Sequence, residues 1–194
     1  LKIKNNLTYY NENYFSEEEL PKQLLVRFEE VSYDKFEQVR VTVNDVRIGD
    51  ILDDNSYKND GYRFHDVFHF SFAALLGWSP CSRSMLRKKR KSSADTDRIE
   101  DGARAEITEE AISLMIFNYA LENDYFINSS QVDDVLLTMI KKMVEPFEVR
   151  DKSKEDWQDA IIKSYELFRF LKLNKGGIIN FNLENKNITC KKIN

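Results

Sequence analysis

Two histidines occur in 194 residues, His65 and His69, and both lie in the apolar run YRFHDVFHFSF (Tyr62 to Phe72) with Asp66 between them. On a helix, residues four apart share a face, so the two imidazoles project from one side and Asp66 lies on the same broad side. A second set of polar groups follows in EITEEAIS: Glu106 and Glu110 are four apart, Glu109 sits beside Glu110, and Ala111, Ile112, Leu114, Met115, Ile116 and Phe117 come directly behind. These acids stand where the chain enters its core. Buried carboxylates are costly unless they are paired or bind a metal. A hard divalent cation bridging Asp66, Glu106, Glu109 and Glu110 would relieve their mutual repulsion, and magnesium is the natural candidate, with manganese as its substitute. The corresponding chemistry is metal-assisted attack of water on phosphorus. The basic run RKKRK between the two acidic sets supplies Arg87, Lys88, Lys89, Arg90 and Lys91, and Arg104 follows; their sign and number suit phosphates.

Each feature also has a plainer account. The histidines can be satisfied helix-packing residues, and Glu106, Glu109 and Glu110 can be first-turn acids favoured by the helix dipole and paired with Arg98 or Arg104. Basic runs are common on solvated loops, and Arg63 and Arg104 can pair with the acids that follow them. Asp50, Asp53 and Asp54 suit turn chemistry. HDxxH places Asp66 where a zinc protease motif needs Glu, yet two imidazoles four apart remain a familiar zinc geometry. Cys81 has no histidine beside it in sequence to activate it.

The elements that must position these groups are mostly helical. Phe64, Val67, Phe68, Phe72, Leu75 and Leu76 recur at spacings of three and four, which predicts a helix over Tyr62 to Leu76, ended by Gly77 and Pro80. Its other face is also apolar, so it should be central. Arg87 to Gly102 reads as a loop or frayed helix end. Further helices are expected over about 103–121, 131–144 and 154–171, the last with Ser153 three residues before Asp156 as a capping arrangement. Val39, Val41 and Val43 alternate with Arg40 and Thr42, which favours β structure with a turn at Asn44-Asp45. The tail reads as a hairpin about Glu184 to Lys186. The expected fold is mainly α, a four-to-five-helix core (61–175) with a small strand-rich N-terminal extension (1–60) and a C-terminal β-hairpin (176–194), together one compact domain.

Composition narrows the partners. Hydrophobic residues at 42% and charged residues at 32% describe a globular chain, and a net charge of −4 disfavours a coat on nucleic acid. No apolar stretch reaches the length of a membrane span, and two cysteines suggest a cytoplasmic address. The chain opens on Leu1, so native residues are expected ahead of it.

The segments GYRFHDVFHFSFAALLGWSP, LRKKRKS, EDGARAEITEEAIS and WQDAIIKSYELFRFLKLNKGGIINFNL resemble the MazG-like, all-α nucleoside triphosphate pyrophosphohydrolases, in particular a bacterial subgroup, from about Val39 to Leu183. That resemblance implies helices assembled into a dimer or tetramer and an EExxE element followed by ExxD. It also implies magnesium-dependent cleavage of an NTP or dNTP to the monophosphate and pyrophosphate. Carried over by position, the first element corresponds to His65, Asp66 and His69, with one of its three acids, and the second to Glu106 and Glu109 with Glu110 adjacent. On this basis His65, His69 and Glu109 are the expected catalytic residues, and Asp66, Glu106, Glu109 and Glu110 the metal ligands. A shifted register would place the closing acid at Asp133 or Asp134. The competing functions are a non-catalytic nucleotide-sensing or partner-binding protein on the same fold, and a metal hydrolase of another phosphorylated compound. Apolar residues on several helix faces call for the cover of a homodimer.

Overall fold

The computed structural model describes residues 14–33 and 35–193, so the first 13 residues of the expected N-terminal extension lie outside the described residues. Strands β1 (Gln23–Tyr33), β2 (Phe36–Val43), β3 (Val46–Arg47) and β4 (Leu52–Asp53) come first. A 3₁₀ turn at Tyr62–Phe64 leads into α1 (Asp66–Leu76), α2 (Pro80–Met85), α3 (Ala94–Ile99) and α4 (Ala103–Glu122). Helices α5 (Asp134–Met143) and α6 (Lys154–Asn174) precede β5 (Gly176–Asn182) and β6 (Ile188–Lys191).

The fold is mainly helical, but it departs from the expectation in two respects. There are six α-helices among the described residues rather than four or five, and the β elements are not small separate additions. They form one six-stranded antiparallel sheet of order β3-β2-β1-β5-β6, with β4 also on β2. The cause is long-range pairing: Val26 lies opposite Val43 on one side and Ile179 on the other. Local alternation reveals each strand, but nothing in a short window reveals that the first and last regions of the chain are neighbours. Asn44 and Asp45 both adopt positive φ, 49° and 65°, the two-residue turn whose twist matches a hairpin.

The extra helices arise from caps. Gly77 (φ 75°) ends α1 as expected, but Pro80 starts a helix instead of only blocking one: Ser79 accepts from the Ser82 backbone N–H, and Pro80 occupies the first turn of α2. Likewise Ser93 caps α3 inside the stretch expected to be a loop. The Ser153 and Asp156 capping box of α6 forms with both reciprocal bonds.

Helix α1 is central, with every residue but Leu75 buried, and α6 is its main partner. Aromatic rings join the two: Phe68 stacks on Tyr165 with centroids 4.8 Å apart, and Phe72 meets Trp157 edge-on at 5.4 Å. Phe70 reaches the sheet at Phe181. At the junction of α6 and β5, Gly176 has φ +124°, and a Cβ there would stand 2.5 Å from the Phe28 carbonyl oxygen. Gly176→Ala is expected to cost about 1–3 kcal/mol, measured by denaturant unfolding. A variant as stable as the parent would contradict this close approach. No helix among the described residues is long and apolar enough to cross a membrane.

Candidate functional site

Three helices bring the polar groups together. The start of α1 supplies His65 (its cap), Asp66 and His69; the first turns of α4 supply Glu106, Glu109 and Glu110; the start of α2 supplies Ser79 and Cys81. Glu109 is fully buried, and its carboxylate is saturated: His69 Nδ1 lies 2.8 Å from Oε1, Ser79 Oγ donates to Oε1 at 2.7 Å, and the Cys81 backbone N–H donates to Oε2 at 2.9 Å. Such charge-assisted bonds offset the cost of burying an anion. Ser79 was not singled out from sequence, although a Ser before Pro is a helix-start signal that could have found it.

His69 is itself buried, so Glu109 and His69 form a closed pair. Burial alone would strip the imidazole of its proton, but the adjacent Glu109 carboxylate and its hydrogen bond outweigh that, and His69 titrates well above 6.5. Its other nitrogen, Nε2, lies 3.3 Å from Glu110 Oε1, within ion-pair reach but without hydrogen-bond alignment. Burial works to raise Glu110, yet the His69 charge prevails and holds it below the usual carboxylate value; about half of its side chain is exposed. His65 places Nδ1 2.9 Å from the Tyr62 carbonyl oxygen and stacks on the Tyr62 ring at 4.4 Å. Its Nε2 is 3.6 Å from Asp66 Oδ1. Asp66 is pushed up by burial, against the pull of the two histidines. The Cys81 thiol is also pushed up, by burial first and then by Glu109, so it is a poor nucleophile.

Two groups of side chains can each present ligand atoms within 4.8 Å of one another: His65, His69 and Glu110, and His69, Cys81 and Glu109. Asp133 and Asp134 stand outside both. Asp133 caps α5 by accepting from the Val135 and Leu136 N–H groups, and Asp134 pairs with Lys154.

The cluster borders an open cleft of about 500 Å³ lined by Tyr62, Cys81, Met85, Glu106, Glu110 and Leu114, among others. Ser84 is shared between this cleft and a smaller basic pocket of about 260 Å³ lined by Arg87, Lys89 and Lys91. Lys89 Nζ reaches Glu106 Oε1 at 2.5 Å, tying the pocket to the acidic set. The remaining expected phosphate ligands are placed elsewhere. Arg90 is buried in ion pairs with Asp101 and Glu148, Lys88 reaches the Ser16 carbonyl, and Arg104 is exposed near the start of α4. Arg63 is likewise committed, to Glu30, Glu37 and Asp54.

The family described as the MazG C-terminal domain matches residues 5–194. No curated protein and no solved structure matches the chain.

Proposed function

Because the chain belongs to the MazG C-terminal domain family, which spans residues 5–194, we propose that it is a nucleotide pyrophosphohydrolase cleaving an NTP or dNTP to the monophosphate and pyrophosphate. At the coarser level, the family and the His/Cys/Glu cluster support a metal-dependent hydrolase of the MazG superfamily. The observation that carries the finer reading is the junction at Ser84, where the cleft lined by Glu106 and Glu110 meets a pocket lined by Arg87, Lys89 and Lys91. A triphosphate laid across that junction would rest its charge on the basic groups and its reacting phosphorus near Glu110.

In this reading Glu110 accepts a proton from the attacking water. It is ionised, half-exposed and adjacent to the cleft. A water oxygen bonds to the α- or β-phosphorus, the bridging oxygen between them leaves, and the products are the monophosphate and pyrophosphate. His69 is the positioning group, held by Glu109 so that its charge faces Glu110. Lys89 must exchange Glu106 for phosphate.

Magnesium prefers oxygen ligands in octahedral array. Of the four carboxylates expected to hold it, Glu109 has spent both oxygens, Asp66 is buried and pushed toward its neutral form, and Glu106 holds Lys89. Glu110 alone does not make a magnesium cage, so the magnesium or manganese of this reading is the ion that arrives on the triphosphate.

The test is phosphorus NMR of the purified chain with a panel of NTPs and dNTPs, with magnesium and with chelator. Cation-dependent appearance of pyrophosphate and one monophosphate is the expected result, and inertness across the panel would remove the reading. Lys89→Ala and Arg87→Ala should each raise KM roughly tenfold or more, the scale of a lost charge-assisted contact, with little change in Tm. An unchanged KM in both would place the phosphates elsewhere. A nucleotide-binding role without turnover is favoured by the saturation of Glu109, and is the reading left if nucleotide binds but no product forms.

The same reading includes a homodimer. Ile107, Leu114 and Leu121 are exposed and spaced by seven on α4, so they form one apolar stripe beginning at the cleft. Leu114→Glu is expected to halve the mass seen by light scattering; an unaltered mass would move the interface to another face.

A further inference from the structure

We propose that His65, His69 and Glu110 bind a single transition-metal ion of the zinc class, through Nε2 of each imidazole and one Glu110 oxygen. Its binding is argued from the ligands alone and goes beyond the reading above: once the ion is held, Glu110 and His69 Nε2 are ligands, so the proton-accepting and charge-presenting roles given to them there belong to the chain without this ion.

The orientation of both rings carries the argument. A backbone carbonyl can only accept, so the 2.9 Å contact from Tyr62 fixes the hydrogen of His65 on Nδ1 and leaves the Nε2 lone pair free in the neutral ring. The Tyr62 ring, stacked within 5° of parallel, holds the imidazole plane. His69 Nδ1 is engaged by Glu109, whose carboxylate is pinned in turn by Ser79 and by the Cys81 N–H. A metal-bound histidine characteristically gives its other N–H to a carboxylate or a backbone carbonyl, which orients the ring and raises its basicity. Here both histidines have such a partner on Nδ1, one ring nitrogen of each lies within 4.8 Å of the other and of a Glu110 oxygen, and His69 presents Nε2 to Glu110 Oε1 at 3.3 Å. Atoms bound to one ion at about 2.0–2.2 Å lie at most about 4 Å apart. The half-exposed Glu110 side chain can supply the remaining movement by rotation.

The centre of this set is an orphan. His69 Nε2 is buried, faces Glu110 at 3.3 Å and makes no aligned hydrogen bond. A metal ion bound there takes the lone pair of that nitrogen, and any proton on it is released. Leaving such an atom without an aligned partner is costly in a structural ion pair but is what a ligand atom requires.

The donor types choose the metal. Two imidazole nitrogens and one carboxylate suit zinc, cobalt, manganese or iron, and suit magnesium poorly. Three protein ligands leave a coordination position free, and Glu110 borders the cleft. A bound cation would also offset the charge of Glu109 and Glu110 and of the nearby Asp66, 3.6 Å from His65 Nε2.

The full chain, stripped by chelator and dialysed, is titrated with Co²⁺ while visible ligand-field absorption is recorded, and with Zn²⁺ by calorimetry. Uptake of one cobalt per chain, displaced by zinc and indifferent to excess magnesium, is expected. Glu110→Gln and His65→Ala change the less buried ligands, and melting curves check that they fold; each should weaken affinity on the order of a hundredfold. Absence of cobalt uptake, or equal affinity in both variants, overturns the site. So does a sulfur-to-cobalt charge-transfer band lost in Cys81→Ser, which would assign the ion to His69, Cys81 and Glu109 instead. Metal binding as described together with a silent nucleotide panel upholds this site and removes the hydrolase reading.

Discussion

Glu109→Ala is expected to lower folding stability by about 3–5 kcal/mol, the range for breaking a buried ion pair from one side. At about 2–4 °C per kcal/mol for a chain of this size, Tm should fall by roughly 6–20 °C. The loss is large because three donors, His69 Nδ1, Ser79 Oγ and the Cys81 N–H, depend on one carboxylate. The same substitution should change the pH dependence of the metal-free chain. The groups facing His69 are His65 and Asp66 from the start of α1, Tyr62 from the 3₁₀ turn before it, Glu109 and Glu110 from α4, and Cys81 from α2. With Glu109 present, the raised His69 value means its stabilisation is complete below about pH 6.5, the value in the unfolded chain, and drains as pH rises through the folded value. Without Glu109 the largest influence raising His69 is gone, so the folded value falls and the loss of stability with rising pH becomes shallower. Calorimetric Tm measured from pH 6 to 8 in chelator checks this, and keeping below the ordinary thiol value of 9.0 limits any contribution from Cys81. Parallel profiles for the two proteins would mean that Glu109 does not govern His69.

Arg90→Met should be comparably destabilising, about 3–5 kcal/mol, but for a reason remote from catalysis. The Arg90 guanidinium is 1% exposed and bonds Asp101 through Nε and one terminal nitrogen while both terminal nitrogens reach Glu148. Its backbone N–H also donates to Asp101, which is itself fully buried. Removing the cation leaves two carboxylates, one of them fully buried, without their main partner. Any fraction of Arg90→Met that folds should keep a near-normal KM for nucleotide, in contrast with Lys89→Ala. Chemical denaturation and steady-state kinetics on the same preparations separate the two roles. A stable Arg90→Met with a raised KM would return this arginine to the phosphate site.

These two residues also show how far the sequence could be read. RKKRK looks like five equivalent cations in sequence. The fold separates them: Arg90 is drawn inward by Asp101 and Glu148, residues 11 and 58 positions away, while Arg87, Lys89 and Lys91 line a pocket. EITEEAIS likewise presents three similar acids. In the structure Glu109 is a saturated interior anion, Glu106 a partner of Lys89 and Glu110 a half-exposed group facing His69 Nε2.

The sequence by itself determined what depends on neighbours within a turn or two. Helical spacing marked α1, α4, α5 and α6, the Ser153 and Asp156 pair marked a cap, Asn44-Asp45 marked a hairpin turn, and the four-residue interval put His65 and His69 on one face. These features are local because backbone sterics, capping and side-chain period act over a few residues. Only the tertiary structure decided that the first and last strands share a sheet, that Ser79 and Cys81 hold Glu109, and that Glu110 meets both histidines. The reason is that burial and electrostatic partnership are properties of three-dimensional neighbours, and the same carboxyl group becomes an anchor, an ion pair or a candidate ligand according to which atoms the packed core brings within about 3–4 Å.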